Sequence, residues 1–271
     1  MPVSRQGDER TSRPPLLEIV VPAYNEEGRL PGGLMQLCAK LARMPFPTSV
    51  IVVDNASTDN TAAIVRQWRG PVPVRLLECR IRGKGAAVRA GLLETTAPLV
   101  GFCDADMATD LAALDVVVGL LLSGERVVVG SRAHVFSDVA NRHSAVRELG
   151  AVGFRALARA IVRDVSDTQC GFKFFDGSLA RAAARRLGTT GFAFDVELLA
   201  RCTALGARVL EIPVRWRDMP GSRFSVARHG AGILLELGRI WLRLRADRSW
   251  HEALAVSPVA QTSPLKTVGY L

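Results

Sequence analysis

Two aspartates one residue apart, Asp104-Ala105-Asp106, close the apolar run Leu99-Val100-Gly101-Phe102-Cys103. Carboxylates at that spacing repel each other when they converge on one small volume. A divalent cation with a preference for oxygen, Mg²⁺ or Mn²⁺, relieves that repulsion and keeps positions open for substrate phosphates. A solvated acidic turn has the same composition, so the surroundings must decide. Upstream, Gly83-Lys84-Gly85 opens a helical pattern. Backbone N–H groups at a helix start favour anions, and Lys84 adds a point charge. The turn is not a P-loop, since position 78 is Glu and position 85 is Gly, and Val88 breaks a dinucleotide fingerprint. A plain helix-starting turn is the competing reading. Together with the acidic pair, the turn suits a diphosphate whose charge the cation and Lys84 would neutralise.

Further polar groups follow two other apolar runs. Pro22-Ala23-Tyr24-Asn25-Glu26-Glu27 follows Leu17–Val21, and Asp54-Asn55 follows Val50–Val53. Tyr24 suits packing on a base or ribose, Glu26 accepting from a hydroxyl, and Asp54 accepting a pyrimidine N–H. Each is equally a strand-to-helix turn, with Asn25 as a cap.

These motifs need a frame. Short apolar runs at 17–22, 50–53, 74–77, 99–103 and 127–129 read as strands. Helical spacing covers 27–43, a start near Ser57-Thr58-Asp59, 83–93 and 110–122. Alternating strands and helices predict parallel βαβ units, whose ligands bind beyond the carboxyl ends of the strands. The polar motifs fall at those ends. The second half differs: helices at 144–163, 194–204 and 226–245, a polar and aromatic loop or strand at 167–175, and a strand at 209–214. The expected architecture is one α/β domain, a Rossmann-like, mostly parallel sheet flanked by helices. It spans residues 16–246 between a flexible leader, 1–15, and a loose tail, 247–271.

The 271 residues suffice for a sizeable core, and 48% hydrophobic against 23% charged residues excludes a disordered chain. The net charge of +9 favours anionic partners. Nucleic acid ranks last among these, because no helix-turn-helix or aromatic RNA motif is present. Five scattered cysteines without metal or redox spacing, and no signal peptide, point to a reducing cytoplasm. The four histidines show no ligand spacing either. No apolar run approaches the ~18 residues that cross a bilayer, so membrane contact would be peripheral, on the cytoplasmic face. The segment 225–246 mixes Ile233, Leu234, Leu237, Ile240, Trp241 and Leu244 with Arg239, Arg243 and Arg245. It suits an anionic lipid surface, or equally a helix packed on the core with a solvated Arg face.

Val20–Glu27, Val52–Thr61, the Gly-Lys-Gly turn and the Asp104/Asp106 pair together resemble an inverting family 2 glycosyltransferase of the GT-A fold. Gly130-Ser131-Arg132-Ala133-His134, Asp167-Thr168-Gln169-Cys170-Gly171-Phe172-Lys173 and Phe194-Asp195-Val196-Glu197-Leu198-Leu199 are similar to its dolichyl-phosphate β-glucosyltransferase branch. Gly221-Ser222-Arg223 resembles a Gly-Ser-Lys element of that branch, with Arg for Lys, and Asn55 stands where many relatives carry a second Asp.

The resemblance implies a hexose moved from a nucleotide diphosphate, UDP-glucose in the glucosyl branch, to a polyprenyl phosphate with inversion. It implies Pro22, Tyr24, Glu26, Asp54 and Asn55 at the nucleoside, Asp104 and Asp106 at the metal and ribose, and Lys84 and Arg132 at phosphates. Asp167 or Asp195 would be the catalytic or acceptor-orienting carboxylate, and Arg132, Arg142, Arg147 and Arg223 are candidates for the acceptor phosphate. A soluble acceptor, or GDP-mannose as donor, is the alternative. Relatives in that branch often carry an N-terminal membrane helix, which this sequence lacks.

Overall fold

In the computed structural model, residues 13–140, 145–217 and 226–247 are described, without the side chains of 145–152, 226–231, 233 and 234. The predicted leader before Arg13, the tail after Asp247, and Arg142 and Arg223 lie outside the described residues, as does the side chain of Arg147.

The alternating pattern resolves as β1 (Leu17–Ala23), α1 (Leu30–Leu41), β2 (Thr48–Asp54), α2 (Thr61–Arg66), β3 (Val74–Glu78), α3 (Lys84–Glu94), β4 (Leu99–Cys103), α4 (Ala113–Leu122) and β5 (Val127–Ser131). After β5 come β6 (Asp138–Ala140), α5 (Ala145–Ile161), β7 (Phe172–Asp176), α6 (Gly177–Arg185), α7 (Phe194–Ala204), β8 (Val209–Pro213), β9 (Arg215–Arg217) and α8 (Val226–Ala246). The main sheet runs β3-β2-β1-β4-β7-β5-β8. Its strands are parallel except β7, which is antiparallel to both β4 and β5. The expected mostly parallel, helix-flanked sheet is therefore what forms.

Strands buried on both faces read as near-continuous apolar runs, and β1 is buried throughout, its one charged residue, Glu18, accepting the Ala97 N–H at 2.8 Å. Alternate residues feed two cores. Ile19 and Val21 meet α1 and α4 on one face, while Val20 and Phe102 meet α3, α6 and α7 on the other. Each fully buried Val, Leu or Phe contributes about 1.5–3 kcal/mol. Such a slab holds the carboxyl ends of β1, β2 and β4 in fixed register.

Three elements escape the sequence pattern. β6 and β9 have three residues each, too few for a period of two to register, and pair as a separate ribbon. α6 starts on Gly177, which reads as a breaker. The start signal is Asp176, whose Oδ1 accepts the Leu179 N–H at 2.9 Å. α1 begins at Leu30, three residues later than its spacing suggests, with Glu26 O accepting from the N–H groups of Arg29 and Leu30. α8 buries Leu237 and Ile240 in the core and exposes Leu235, Trp241 and Leu242 alongside Arg239, Arg243 and Arg245. Among the described residues, no helix is long and apolar enough to cross a membrane.

Candidate functional site

The loops after β1, β2 and β4 lie together at one edge of the sheet, and each contains a non-glycine residue in the left-handed region: Asn25 (φ 53°), Ala56 (φ 58°) and Met107 (φ 48°). Such backbone costs of order 1 kcal/mol per residue and persists where surrounding contacts impose it. The contacts are visible. Asn25 Oδ1 accepts the Thr58 N–H at 2.7 Å, Ser57 Oγ accepts the Asn25 N–H at 2.9 Å, and Thr61 Oγ1 accepts the Glu26 N–H at 2.8 Å. Asn25 thus locks the β1 loop to the β2 loop rather than capping α1.

Asp104 and Asp106 flank a tight turn in which Asp104 O accepts the Met107 N–H. Lys84 Nζ lies 2.6 Å from Asp104 Oδ1. Burial alone would lower the Lys84 pKa, but the carboxylates of Asp104 and then Asp195 outweigh it and raise it. Asp106 Oδ1 accepts the Ala108 N–H at 3.2 Å, and Asp106 Oδ2 accepts from Arg29 Nη1 at 3.3 Å. Burial, then the charge of Asp104, pushes the Asp106 carboxyl up. Arg29 also forks onto Glu26, with Nε and Nη2 donating at 2.7 and 2.5 Å. Arg29 was not anticipated. Its signal was the three-residue spacing from Glu26 at a helix start.

The acidic pair fits a divalent cation on these observations. Two hard oxygen donors flank one tight turn, burial and then the charge of Asp104 raise the Asp106 pKa, and Lys84 and Arg29 each pair with one of the two carboxylates. Among the described residues, no third His, Cys, Asp or Glu completes a metal cluster. The remaining ligands would come from phosphate and water, the usual arrangement for Mg²⁺.

The second half supplies the walls. Asp104 N–H donates to Gly171 O at 3.1 Å, and a Cβ on Gly171 would stand 2.0 Å from Asp104 Oδ2, so only glycine leaves room for this carboxylate. The β9 strand pins the far side of the acidic turn, with Ala108 O accepting the Arg217 N–H at 2.9 Å. A small cleft beside Asp104 is lined by Met107, Thr109, Leu111, Phe172 and Trp216.

Most of the expected site residues have partners within the protein. Asn55 faces inward: its Nδ2 donates to Ile81 O at 2.6 Å and its Oδ1 accepts the Gly83 N–H at 2.7 Å, so its amide braces the glycine turn instead of meeting a base. Pro22 is buried inside β1. The start of α3 is partly used by protein, because Thr190 O accepts the Ala86 N–H at 3.2 Å. Gly83 (φ 124°) lies so close to Thr190 O that a Cβ would approach to 2.1 Å. Lys84 meets Asp104 directly. Arg132, expected at a phosphate, forks onto Asp167, with Nε to Oδ2 at 2.7 Å and Nη2 to Oδ1 at 2.9 Å. Asp167 also accepts the N–H groups of Arg132 and Gln169. Burial would raise its pKa, but Arg132 prevails and holds it at about 2. Asp195 is buried, with Oδ1 2.6 Å from Lys173 Nζ; burial raises its pKa against the opposing charge of Lys173. Asp54 is 7% exposed, and its Oδ1 has no hydrogen-bond partner among the described residues. Tyr24 stays exposed, as a stacking platform requires.

Comparison with known proteins points one way. The family model described as "Glycosyl transferase family 2" matches residues 18–182. The dolichyl-phosphate beta-glucosyltransferase of Drosophila melanogaster is 37% identical over 243 residues, covering 84% of this chain and 74% of the relative. Its Homo sapiens counterpart is 34% identical over 223 residues, covering 76% and 69%. Among solved structures, glucosyl-3-phosphoglycerate synthase of M. tuberculosis superposes with TM-score 0.60 at 21% identity, covering 82% of this chain and 80% of that one. The Mycobacterium tuberculosis synthase crystallised with Mn²⁺, UDP-glucose and glycerol 3-phosphate also gives TM-score 0.60, at 20% identity, with coverage of 84% and 79%.

Proposed function

Because the chain belongs to glycosyl transferase family 2, we propose that it moves glucose from UDP-glucose to a polyprenyl phosphate of the dolichyl type, with inversion and with Mg²⁺ or Mn²⁺ bound. Glycosyl transfer follows from family membership; donor, acceptor and metal are the inferred part. Asp104 and Asp106 would hold the cation, which neutralises charge on the departing diphosphate. The unpartnered Asp54 Oδ1 is an acceptor for a base N–H, and exposed Tyr24 offers a face for the base or ribose. Arg29 and Glu26 keep Asp106 in place.

The acceptor assignment rests on one observation: both carboxylates expected to act as a base are paired with a cation of the protein. Asp167 has both oxygens engaged and a pKa held at about 2, and Asp195 is buried against Lys173. A hydroxyl acceptor needs a base. A phosphate monoester, with its second pKa near ~6, is already largely a dianion at neutral pH. Its oxygen attacks the anomeric carbon from the face opposite the diphosphate. The new C–O bond forms as the old one breaks, and the electron pair leaves with UDP. An α-linked donor gives a β-linked product. The outer face of α8, with Leu235, Trp241 and Leu242 among arginines, would rest on an anionic bilayer, where the acceptor is found.

The test is transfer of labelled glucose, with Mn²⁺, to a short polyprenyl phosphate and to the same polyprenol without phosphate. Product is expected from the phosphate alone. Equal transfer to the alcohol, or turnover of GDP-mannose in preference to UDP-glucose, would overturn the assignment.

A further inference from the structure

Between β5 and β6 the chain turns through His134-Val135-Phe136-Ser137. Val135 and Phe136 stand 86% and 81% exposed, more than any other large apolar side chain among the described residues. A lone exposed apolar residue is ordinary. An adjacent pair displayed by a stiff turn is not.

The stiffness comes from polar groups satisfied locally. Ser131 O accepts from the His134 N–H at 3.4 Å and from Ser137 Oγ at 2.6 Å. His134 O accepts the Ser137 N–H at 3.0 Å, and His134 Nδ1 accepts the Phe136 N–H at 3.3 Å. Val214 closes the base: its N–H donates to Ser137 Oγ at 3.0 Å, and its carbonyl accepts the Asp138 N–H at 3.1 Å. A segment enters apolar surroundings only if its backbone groups are already paired. Here the N–H groups of His134, Phe136, Ser137 and Asp138 are paired within the protein while two apolar side chains face outward.

The turn is also well placed. β4 and β5 both run antiparallel to β7, so they point the same way, and the turn leaves β5 at the sheet edge that carries Asp104. β6 follows the turn and pairs with β9, which sets exposed Arg215 opposite Asp138 and exposed Arg217 opposite Ala140. One acid therefore faces two arginines. Trp216, between them, lines the cleft beside Asp104, and the Arg132 guanidinium lies 5.6 Å from its ring. An apolar tip with cationic neighbours complements an anionic lipid surface. It suits a protein partner less well, because a stable interface buries about 800 Å² a side, far more than two side chains supply.

We propose that Val135 and Phe136 form a wedge that enters an anionic bilayer at the headgroup–acyl boundary and turns the Asp104 edge of the sheet toward the membrane. The use of this wedge rests on the lipid-acceptor reading given above; its binding to lipid does not.

The test is flotation of the full chain with vesicles of equimolar phosphatidylcholine and phosphatidylglycerol. Val135→Ser/Phe136→Ser should melt like the native protein and lose at least about tenfold in vesicle affinity, the scale of withdrawing a Val and a Phe from apolar contact. It should transfer glucose normally to a water-soluble short-chain polyprenyl phosphate, and about tenfold more slowly to polyprenyl phosphate embedded in the vesicles. Phe136→Trp should be quenched by brominated acyl chains beyond the quenching of the native tryptophans. Native vesicle affinity in the double serine variant, or no added quenching in Phe136→Trp, would overturn the proposal. So would native protein that ignores vesicles but self-associates through the tip, which would assign the turn to a second copy of the chain. Vesicle binding that depends on the wedge, with no transfer to polyprenyl phosphate in either form, would sink the acceptor reading and leave the wedge standing.

Discussion

Residues 17–131 and residues 132–217 both place charge around the acidic pair, but they neutralise it in different ways. In the first region the partners are shared and half open to water. Asp104 is 36% exposed with Lys84 on one oxygen, and Arg29 divides itself between Glu26 and Asp106. In the second region the charges are closed off. Arg132 takes both oxygens of Asp167, Lys173 pairs with Asp195 in the core, and Glu197 accepts from Arg201 and from the Gly188 and Thr189 N–H groups. Partly satisfied charge is where a ligand can replace a contact. Fully satisfied charge makes a frame that holds its shape while the ligand comes and goes. The parallel βα units thus carry the exchangeable groups, and the rigid ones lie on β7, on α7 and on the loops beside them.

The strongest way to break this comparison is to neutralise a charge in the open region. Asp104→Asn should cut transfer by about 10³-fold, the scale of losing a preorganised electrostatic contact to the departing group. It should barely change the melting temperature, because repulsion on Asp106 is relieved while the Lys84 contact is weakened. Steady-state transfer assays and thermal melts on the same preparation check both halves. A large stability loss with activity retained would place Asp104 in the frame.

A smaller effect sharpens the seam between the two regions. Gly171→Ala puts a methyl 2.0 Å from Asp104 Oδ2, so the carboxylate must swing away. A displacement of about 1 Å in a positioned group lowers rate about 10²-fold. The variant should fold normally and lose Mn²⁺-dependent UDP affinity together with kcat. Transfer within twofold of the native rate would mean that the seating of Asp104 by β7 is immaterial.

The same division explains what could be read beforehand. The open region was legible because its groups sit where chain pattern alone places them: Asp54 ends an apolar strand, Asp104 directly follows one, and parallel sheets bind ligands at those ends. The closed region was not. Asp167 meeting Arg132, or Lys173 meeting Asp195, depends on β7 entering antiparallel between β4 and β5, and no local periodicity encodes that insertion. What Asp167 and Asp195 can do is decided by their partners, Arg132 and Lys173. Asn55 misled for a related reason. A polar residue at a strand end can face the ligand or brace the next loop, and its hydrogen bonds to Ile81 and Gly83 were invisible until the loop was in place.

The least effect, and the most direct reading of the closed region, is its acid stability. Asp167 is 7% exposed, and its carboxyl falls from an ordinary 3.8 to about 2 when folded, with burial opposed and outweighed by Arg132. A carboxylate with a depressed folded pKa stabilises the fold above its unfolded value and loses that contribution as pH falls through the folded value. The window is therefore pH ~4 down to ~2, and the amount is about 2 kcal/mol. Denaturant melts across that window should show the loss in the native protein. Arg132→Met keeps the acid but removes the cause of the depressed pKa, so it should show a flatter dependence together with lower stability at neutral pH. Equal slopes for Arg132→Met and native protein would mean that the Asp167 fork contributes no stability, and the contrast between the open and closed regions would then rest on burial alone.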